Sequence, residues 1–373
     1  MSALLLLLSM SLLKEHTPWL NNYFNVQALQ GYFPEVEKLK LSKQTWFDGS
    51  FQKSKEEQLK RDLKIRPYAV RVNNQLHFNV LDEIRSDVVK GEEGYLFGAR
   101  YIGAIQGRDF IGSQKIQAQC EKLAVIRDTF KNRFDTDIIV VLAYDKSRYF
   151  KDKLPKRYDL VNVDTTNYEM FVKYLQEENI YTIDFNKYFI EQKDKTEHRL
   201  GSKNGIHWTS YGGILAADSL LNFIGSIKGK NVNRIYKGEI FETTIVKGKD
   251  NDIGESLNLY TDLETQTFSY FENYIKMDSA AYKPNIALIG DSFCWTIWEQ
   301  EIPHNYWGDN SMFMYYFNQI WKTKADESPG AFIDKAESLN YFTDKDAIVL
   351  LYTPMNLNIF GNEFVDEMHK IVH

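Results

Sequence analysis

Three short apolar runs constrain the fold of this chain more than any other feature: Ile138 to Ala143 after Asp137, Ile286 to Ile289 after Asn285, and Ala347 to Tyr352. Each is continuous rather than alternating, the pattern of strands buried on both faces of a parallel sheet. Segments at helical spacing lie between them. Ile116, Cys120, Leu123, Ala124 and Phe130 recur along one helical face, Tyr168 to Glu177 is amphipathic, and Tyr211 to Phe223 reads as a further helix. Tyr181 to Asp184 reads as another strand, and Gly94-Tyr95-Leu96-Phe97 as a short strand after a turn. Repeated β-α-β alternation predicts an α/β fold, a mostly parallel sheet with helices on both faces.

Composition narrows the class. With 43% hydrophobic and 26% charged residues the chain is a folded globular protein, neither disordered nor fibrous. A net charge of −6 leaves no domain-wide basic surface to neutralise phosphates, so no nucleic-acid partner is expected. Cys120 and Cys294 are too few for a disulfide framework, and neither sits at a metal-ligand spacing. Neither a metal nor a cofactor is expected.

Residues 1–20 hold the apolar run Ala3 to Leu13, closed by Lys14 and Glu15. Spanning a bilayer needs about 20 apolar residues, so this run is too short alone. It also lacks a basic stretch before it and a small-residue cleavage site before Trp19. It reads as a membrane anchor or truncated signal segment, with a leucine-rich first helix packed on the domain as the alternative. Export or tethering places the remainder outside the cytoplasm. Residues 21–87, with Trp46, Phe47 and Phe51 ahead of a charged stretch from Lys53 to Arg66, form a partly helical N-terminal extension. The main domain runs from 88 to 373, with a Lys-, Gly- and Asn-rich insertion or edge hairpin near 225–255.

In open α/β sheets ligands collect beyond the carboxyl ends of the strands. The run ending at Ile289 feeds into Gly290-Asp291-Ser292-Phe293, and Trp295 to Trp298 begins a helix. A serine at such a turn presents its hydroxyl at the sheet rim, where N–H groups of the helix start can hold an oxyanion. Asp291 or Ser292 as an ordinary N-cap is the competing reading. His207, in Asn204-Gly205-Ile206-His207-Trp208-Thr209-Ser210-Tyr211, precedes the helix that runs to Phe223 and can reach a serine across the sheet edge. Imidazole is the side chain best suited to take a proton near neutral pH. For any single histidine a core role bonded to backbone is the commoner case, but the other six lack this setting. After the last apolar run, Thr353-Pro354-Met355-Asn356-Leu357 offers Asn356 as an oxyanion donor or as a turn former.

In their order and spacing these segments, together with Lys90 to Phe97 and Gly107-Arg108-Asp109-Phe110, resemble the alginate O-acetyltransferase family of AlgJ/AlgX type. The resemblance implies an SGNH hydrolase-like domain over 88–373, with permuted motifs. It implies Ser292 as nucleophile and His207 as base; Asn356 and Asp291 are candidate oxyanion or supporting residues, and an acyl-serine is the expected intermediate. An Asp-x-His motif supplies the orienting carboxylate in that family, yet the position two before His207 is Gly205. Glu197, Asp194 or a backbone carbonyl are the candidate orienters, and an unassisted dyad or an inactive protein remain open. Asp291 is expected to shape the turn. Trp208, Tyr211, Trp295 and Trp298 are candidate substrate-binding aromatics, core packing being the alternative. The resemblance further implies O-acetylation of a cell-envelope or extracellular polysaccharide. Its acyl group would come from a multi-pass membrane O-acyltransferase of AlgI type, at a periplasmic or extracytoplasmic location tied to the inner membrane by the N-terminus. A carbohydrate acetylesterase using the same pair, and a non-catalytic polysaccharide-binding scaffold, are the rival readings.

Overall fold

The computed structural model of the chain describes residues 28–31, 37–63, 65–84, 86–158, 165–235, 238–264, 266–271, 277–324 and 329–373. The chain forms two compact units: Met1–Ser86 with Ile253–Glu264, and Asp87–Asp252 with Thr265–His373. The anchor segment expected over 1–20 lies outside the described residues. Among those described, no helix is long and apolar enough to cross a membrane.

The regular elements described in the smaller unit are helices. Helix α1 (Lys43–Phe47) opens with a capping box: the Ser42 hydroxyl accepts from the Thr45 N–H, and the Thr45 hydroxyl accepts from the Ser42 N–H. It is followed by α2 (Ser50–Asp62) and by α3 (Arg66–Val80), whose Pro67 sits in the first turn, where its missing N–H costs nothing. The returning segment is pinned to α3 by polar side chains. Asn74 Nδ2 donates to Leu257 O at 2.8 Å, and Gln75 Oε1 accepts from Tyr260 N at 3.1 Å and Thr261 N at 2.9 Å.

In the larger unit β1 (Val88–Lys90) and β2 (Leu96–Gly98) form a small antiparallel ribbon. The strand expected over Gly94–Phe97 starts two residues later, because Gly94 is still in the turn at φ 74°. The main sheet contains β3 (Asp137–Leu142), β4 (Tyr181–Asp184), β7 (Ile286–Gly290), β8 (Met312–Tyr315), β9 (Gln319–Lys322), β10 (Ala331–Phe332) and β11 (Ala347–Tyr352), in the order β10-β9-β8-β7-β11-β3-β4. The five strands from β8 to β4 run parallel, and β9 and β10 extend that edge antiparallel. All three apolar runs are the sheet's inner strands, side by side.

Alternate residues of these strands feed two cores. Ile139, Val141, Leu288, Val349 and Leu351 face a layer that includes α4 (Ala99–Ile105) and α9 (Ser210–Lys228). Ile138, Val140, Ile289, Ile348 and Leu350 face α5 (Ser113–Phe134), α7 (Asn167–Glu177) and α13 (Phe364–Val372). Both faces are therefore covered, which is why the runs read as continuously apolar. Within the expected insertion, Gly225 to Lys228 finish α9, and β5 (Ile240–Thr243) pairs antiparallel with β6 (Phe268–Phe271) in a ribbon separate from the main sheet.

Ile348 is fully buried at the centre of this arrangement, whereas Ile245 is 72% exposed. Ile348→Ala is expected to lower stability by about 2–5 kcal/mol and Ile245→Ala by less than about 0.5 kcal/mol, read as urea-denaturation shifts in tryptophan fluorescence.

Candidate active site

Strand β7 ends at Gly290, and the geometry there excludes any other residue. A Cβ at 290 would lie 2.0 Å from Leu351 O and 2.7 Å from Cys294 Sγ, so glycine lets the strand end press against β11. The next residue, Asp291, is fully buried and organises the turn. Its Oδ1 accepts from Phe293 N at 3.0 Å, while Oδ2 accepts from Thr353 N at 2.8 Å and Asn356 Nδ2 at 2.9 Å. Burial pushes this carboxyl above its ordinary range, against the pull of those three donors. Ser292 then stands at the N-cap of α11 (Phe293–Trp298), half-buried, in right-handed helical backbone. Among the described residues its N–H has no acceptor.

His207 reaches this serine from the loop ahead of α9. Its Nε2 lies 2.9 Å from Ser292 Oγ, and its Nδ1 lies 2.6 Å from Asp252 Oδ2. The ring is 7% exposed and tilts against the Phe293 ring at 4.7 Å. Asp252 opens the five-residue helix α10 (Asp252–Ser256), and its second oxygen accepts from Ile206 N at 2.7 Å. Serine hydroxyl, imidazole and carboxylate thus form one hydrogen-bonded chain. Such a chain is suited to proton abstraction, the carboxylate setting the tautomer that leaves Nε2 free to accept.

The carboxylate comes from none of the expected sources. Glu197 and Asp194 are exposed, and Nδ1 faces Asp252 rather than a backbone carbonyl. Gly205 explains the substitution. A Cβ there would lie 2.5 Å from Ser202 Oγ and 2.8 Å from Asp250 O, so the segment bearing Asp250 and Asp252 occupies the space a side chain at 205 needs. Asp250 Oδ1 also accepts from Ser210 N at 2.7 Å, so two carboxylates two residues apart hold both ends of 206–210. Burial pushes the Asp250 carboxyl up to about 6. The sequence signal that marks this segment is the Asp250-Asn251-Asp252 triplet in the insertion.

A second residue missed in sequence, Lys146, follows β3 and is fully buried. Its ammonium donates to Lys203 O at 2.8 Å and Gly205 O at 2.6 Å, tying down the loop that carries His207. Burial lowers its pKa from 10.5 to about 7, with Asp252 pulling the other way. Its neighbour Asp145 is raised to about 6 by burial.

The four candidate aromatics are largely engaged in packing. Trp208 is fully buried, donates its indole N–H to the Thr296 hydroxyl and meets Phe293 edge-on at 5.2 Å; it is core. Trp298 is 8% exposed against Phe313, and half-buried Trp295 is edge-packed on Phe313 and Trp321 at 4.8 and 4.6 Å. Tyr211 stacks on Phe271 at 5.6 Å, although it lines a cavity of about 350 Å³. Asn356 is committed to Asp291 and, at 3.4 Å, to the Tyr316 hydroxyl. It supports the turn through its bond to Asp291.

A mostly parallel α/β sheet with this serine at a strand end and this histidine beside it defines an SGNH hydrolase-like domain. The chain belongs to the family described as "SGNH hydrolase-like domain, acetyltransferase AlgX", which residues 88–301, more than half of its length, match. It is accordingly an SGNH-like O-acetyltransferase. No curated protein matches it significantly. Among solved structures it is similar to the O-acetyltransferase domain of Pseudomonas putida AlgJ, at 13% identity over 77% of this chain and 100% of that one, TM-score 0.46. It is also similar to Pseudomonas aeruginosa AlgX, at 17% identity over 73% and 66% of the two chains, TM-score 0.43. Bacillus cereus PatB1 matches at 12% identity over 74% and 98%, TM-score 0.45.

Two outcomes test this local architecture. Gly205→Asp, which places a carboxylate two residues before His207, is expected to lower both stability and activity, because Asp250 O is backbone and must move; thermal melting and ester hydrolysis measure both. For Lys146 the sign follows from linkage. Between about 7 and 10.5 the unfolded chain holds a proton that the folded chain has released, so wild type gains stability as pH rises through that window. The difference between wild type and Lys146→Met in denaturation midpoint is expected to move in wild type's favour from pH 7 to pH 10.

Proposed function

We propose that this protein transfers an acetyl group to hydroxyls of a cell-envelope or extracellular polysaccharide through an acyl-serine at Ser292. The observation that carries the reading is the continuous hydrogen-bonded chain from Ser292 Oγ through His207 to Asp252. His207 Nε2 takes the proton as Ser292 Oγ attacks the donor's acyl carbonyl, and Asp252 stabilises the imidazolium. The Ser292 N–H, at the start of α11, donates to the developing oxyanion. Collapse of the tetrahedral intermediate breaks the bond to the donor's leaving atom, which receives the proton from His207. A sugar hydroxyl then attacks the acyl-serine, its proton passing to Nε2. The acetylated sugar departs, and the proton returns to Oγ.

A polysaccharide acceptor and an envelope location are part of this reading, which membership of the AlgX acetyltransferase family supports. A multi-pass membrane O-acyltransferase as acyl supplier, and anchoring through residues 1–20, belong to the same reading. Asp252 in the orienting role removes the main ground for a non-catalytic scaffold, since Gly205 is then no sign of a lost carboxylate.

Hydrolysis of a chromogenic acetyl ester tests the chemistry. Ser292→Ala and His207→Ala are expected to abolish it, and trapping by a serine-directed sulfonyl reagent is expected to be lost in Ser292→Ala and strongly slowed in His207→Ala. Asp252→Asn is expected to lower kcat on the order of 10³–10⁴-fold by stabilising the wrong imidazole tautomer. Glu197→Gln is expected to change nothing. Wild-type activity surviving Ser292→Ala overturns the mechanism.

A further inference from the structure

The turn between β8 and β9 contains two successive aromatic residues in left-handed backbone, Tyr316 at φ 51° and Phe317 at φ 52°. Bulky side chains rarely adopt this region, and strain of this kind concentrates at ligand sites. Here it aims Tyr316 between two features. On one side, Tyr316 N donates to Gly290 O at 2.9 Å and its hydroxyl meets Asn356 Nδ2 at 3.4 Å, in contact with the Gly290-Asp291-Ser292 turn. On the other, Tyr316 lines a cavity of about 320 Å³ beyond the carboxyl ends of the strands.

The walls of that cavity are rich in amides: Gln119 from α5, Asn318 after the strained turn, and Asn358 and Asn362 after β11. Two of these are incomplete. Gln119 Oε1 and Asn358 Oδ1 are buried atoms with no hydrogen-bond partner. Unpaired buried acceptors are costly and uncommon, and these two share one cavity wall, where a ligand hydroxyl can complete their bonding. Turning either amide over exchanges an unpaired acceptor for an unpaired donor at the same place. A hydroxyl, being both donor and acceptor, satisfies either arrangement. The charged groups on the wall, Lys335 and Glu363, pair with each other, so no net charge calls for an anion. The volume falls at the small end of sites for organic ligands.

We propose that this amide-lined cavity is an acceptor subsite, holding a neutral hexose ring and linked to the turn of the reactive serine through Tyr316. The proposal rests on the acyl-serine reading above. Tyr316 joins the two, touching the ring on one side and the network that shapes the serine turn on the other.

The experiment forms the acyl-enzyme from a chromogenic acetyl ester and divides it among water, methanol and methyl glycosides of glucose, mannose and galactose. Wild type is expected to acetylate at least one methyl hexoside at least tenfold more efficiently than methanol. Asn358→Leu and Gln119→Leu are expected to lose that preference about tenfold while hydrolysing the ester at the wild-type rate. A wild type without preference for any hexoside, or a preference unchanged in both variants, overturns the subsite. Should ester hydrolysis be absent, or persist in Ser292→Ala, the acyl-serine reading fails instead. Saturation-transfer NMR of the same hexosides then decides the subsite without catalysis: signal lost in both variants upholds it, and no signal with wild type, or signal retained in the variants, overturns it.

Discussion

The carboxylate of Asp252 bridges two donors, Ile206 N at 2.7 Å and His207 Nδ1 at 2.6 Å, and the geometry of the site depends on that bridge. One oxygen fixes the backbone just ahead of the histidine, and the other fixes the ring itself. A loop histidine otherwise samples several rotamers and two tautomers. Tied at both places, it presents Nε2 to Ser292 Oγ at 2.9 Å, the preorganisation that the proposed proton transfer calls for. Asp250 and Lys146 extend the same restraint along the loop, one at Ser210 N and the other at the carbonyls of Lys203 and Gly205. The histidine is held by its neighbours' backbone as much as by its own side chain.

The serine is placed by a different device. Adjacent parallel strands β7 and β11 approach closely enough at Gly290 that no side chain fits, and Asp291 turns inward to collect Thr353 N, Asn356 Nδ2 and Phe293 N. That buried carboxylate joins the end of one strand to the segment after the next. The site is therefore rigid in the serine half through the sheet and in the histidine half through the loop restraints. The 2.9 Å contact between Nε2 and Oγ is where the halves meet.

How much of this was legible follows from how local each signal is. The inner strands were readable because burial on both faces leaves a continuous apolar run, and the run over Ala347–Tyr352 coincides with β11. Ser292 and His207 stood out because strand-turn-helix and loop-helix junctions are written in adjacent residues. Asp252 was not legible, since it lies 45 residues from its histidine and the pairing is made only in three dimensions. The nearer carboxylates Glu197 and Asp194 suggested themselves by proximity in sequence, yet both face solvent. Trp208 misled in the opposite sense: an aromatic beside a candidate base suggests a sugar platform, but full burial spends its whole surface on packing. Lys146 is not legible in sequence because a lysine after a strand is ordinarily exposed, and only the folded chain shows the two carbonyls that make its burial tolerable.

Gly205 joins these observations. Read along the chain, it is a missing carboxylate, the position where an orienting acid is expected and absent. Read in space, it is the opening that admits Asp250 O to within 2.8 Å of where a side chain would begin. A Cβ at 205 forces Asp250 O, and with it the backbone that delivers Asp252, to shift, so an in-line aspartate and a distant one compete for the same space. An imidazole that becomes charged in a largely buried place needs an anion at Nδ1, whichever segment provides it. Supplying that anion from the insertion adds something the in-line solution lacks. The 238–252 segment becomes part of the candidate site, because it delivers the carboxylate that holds His207 Nδ1.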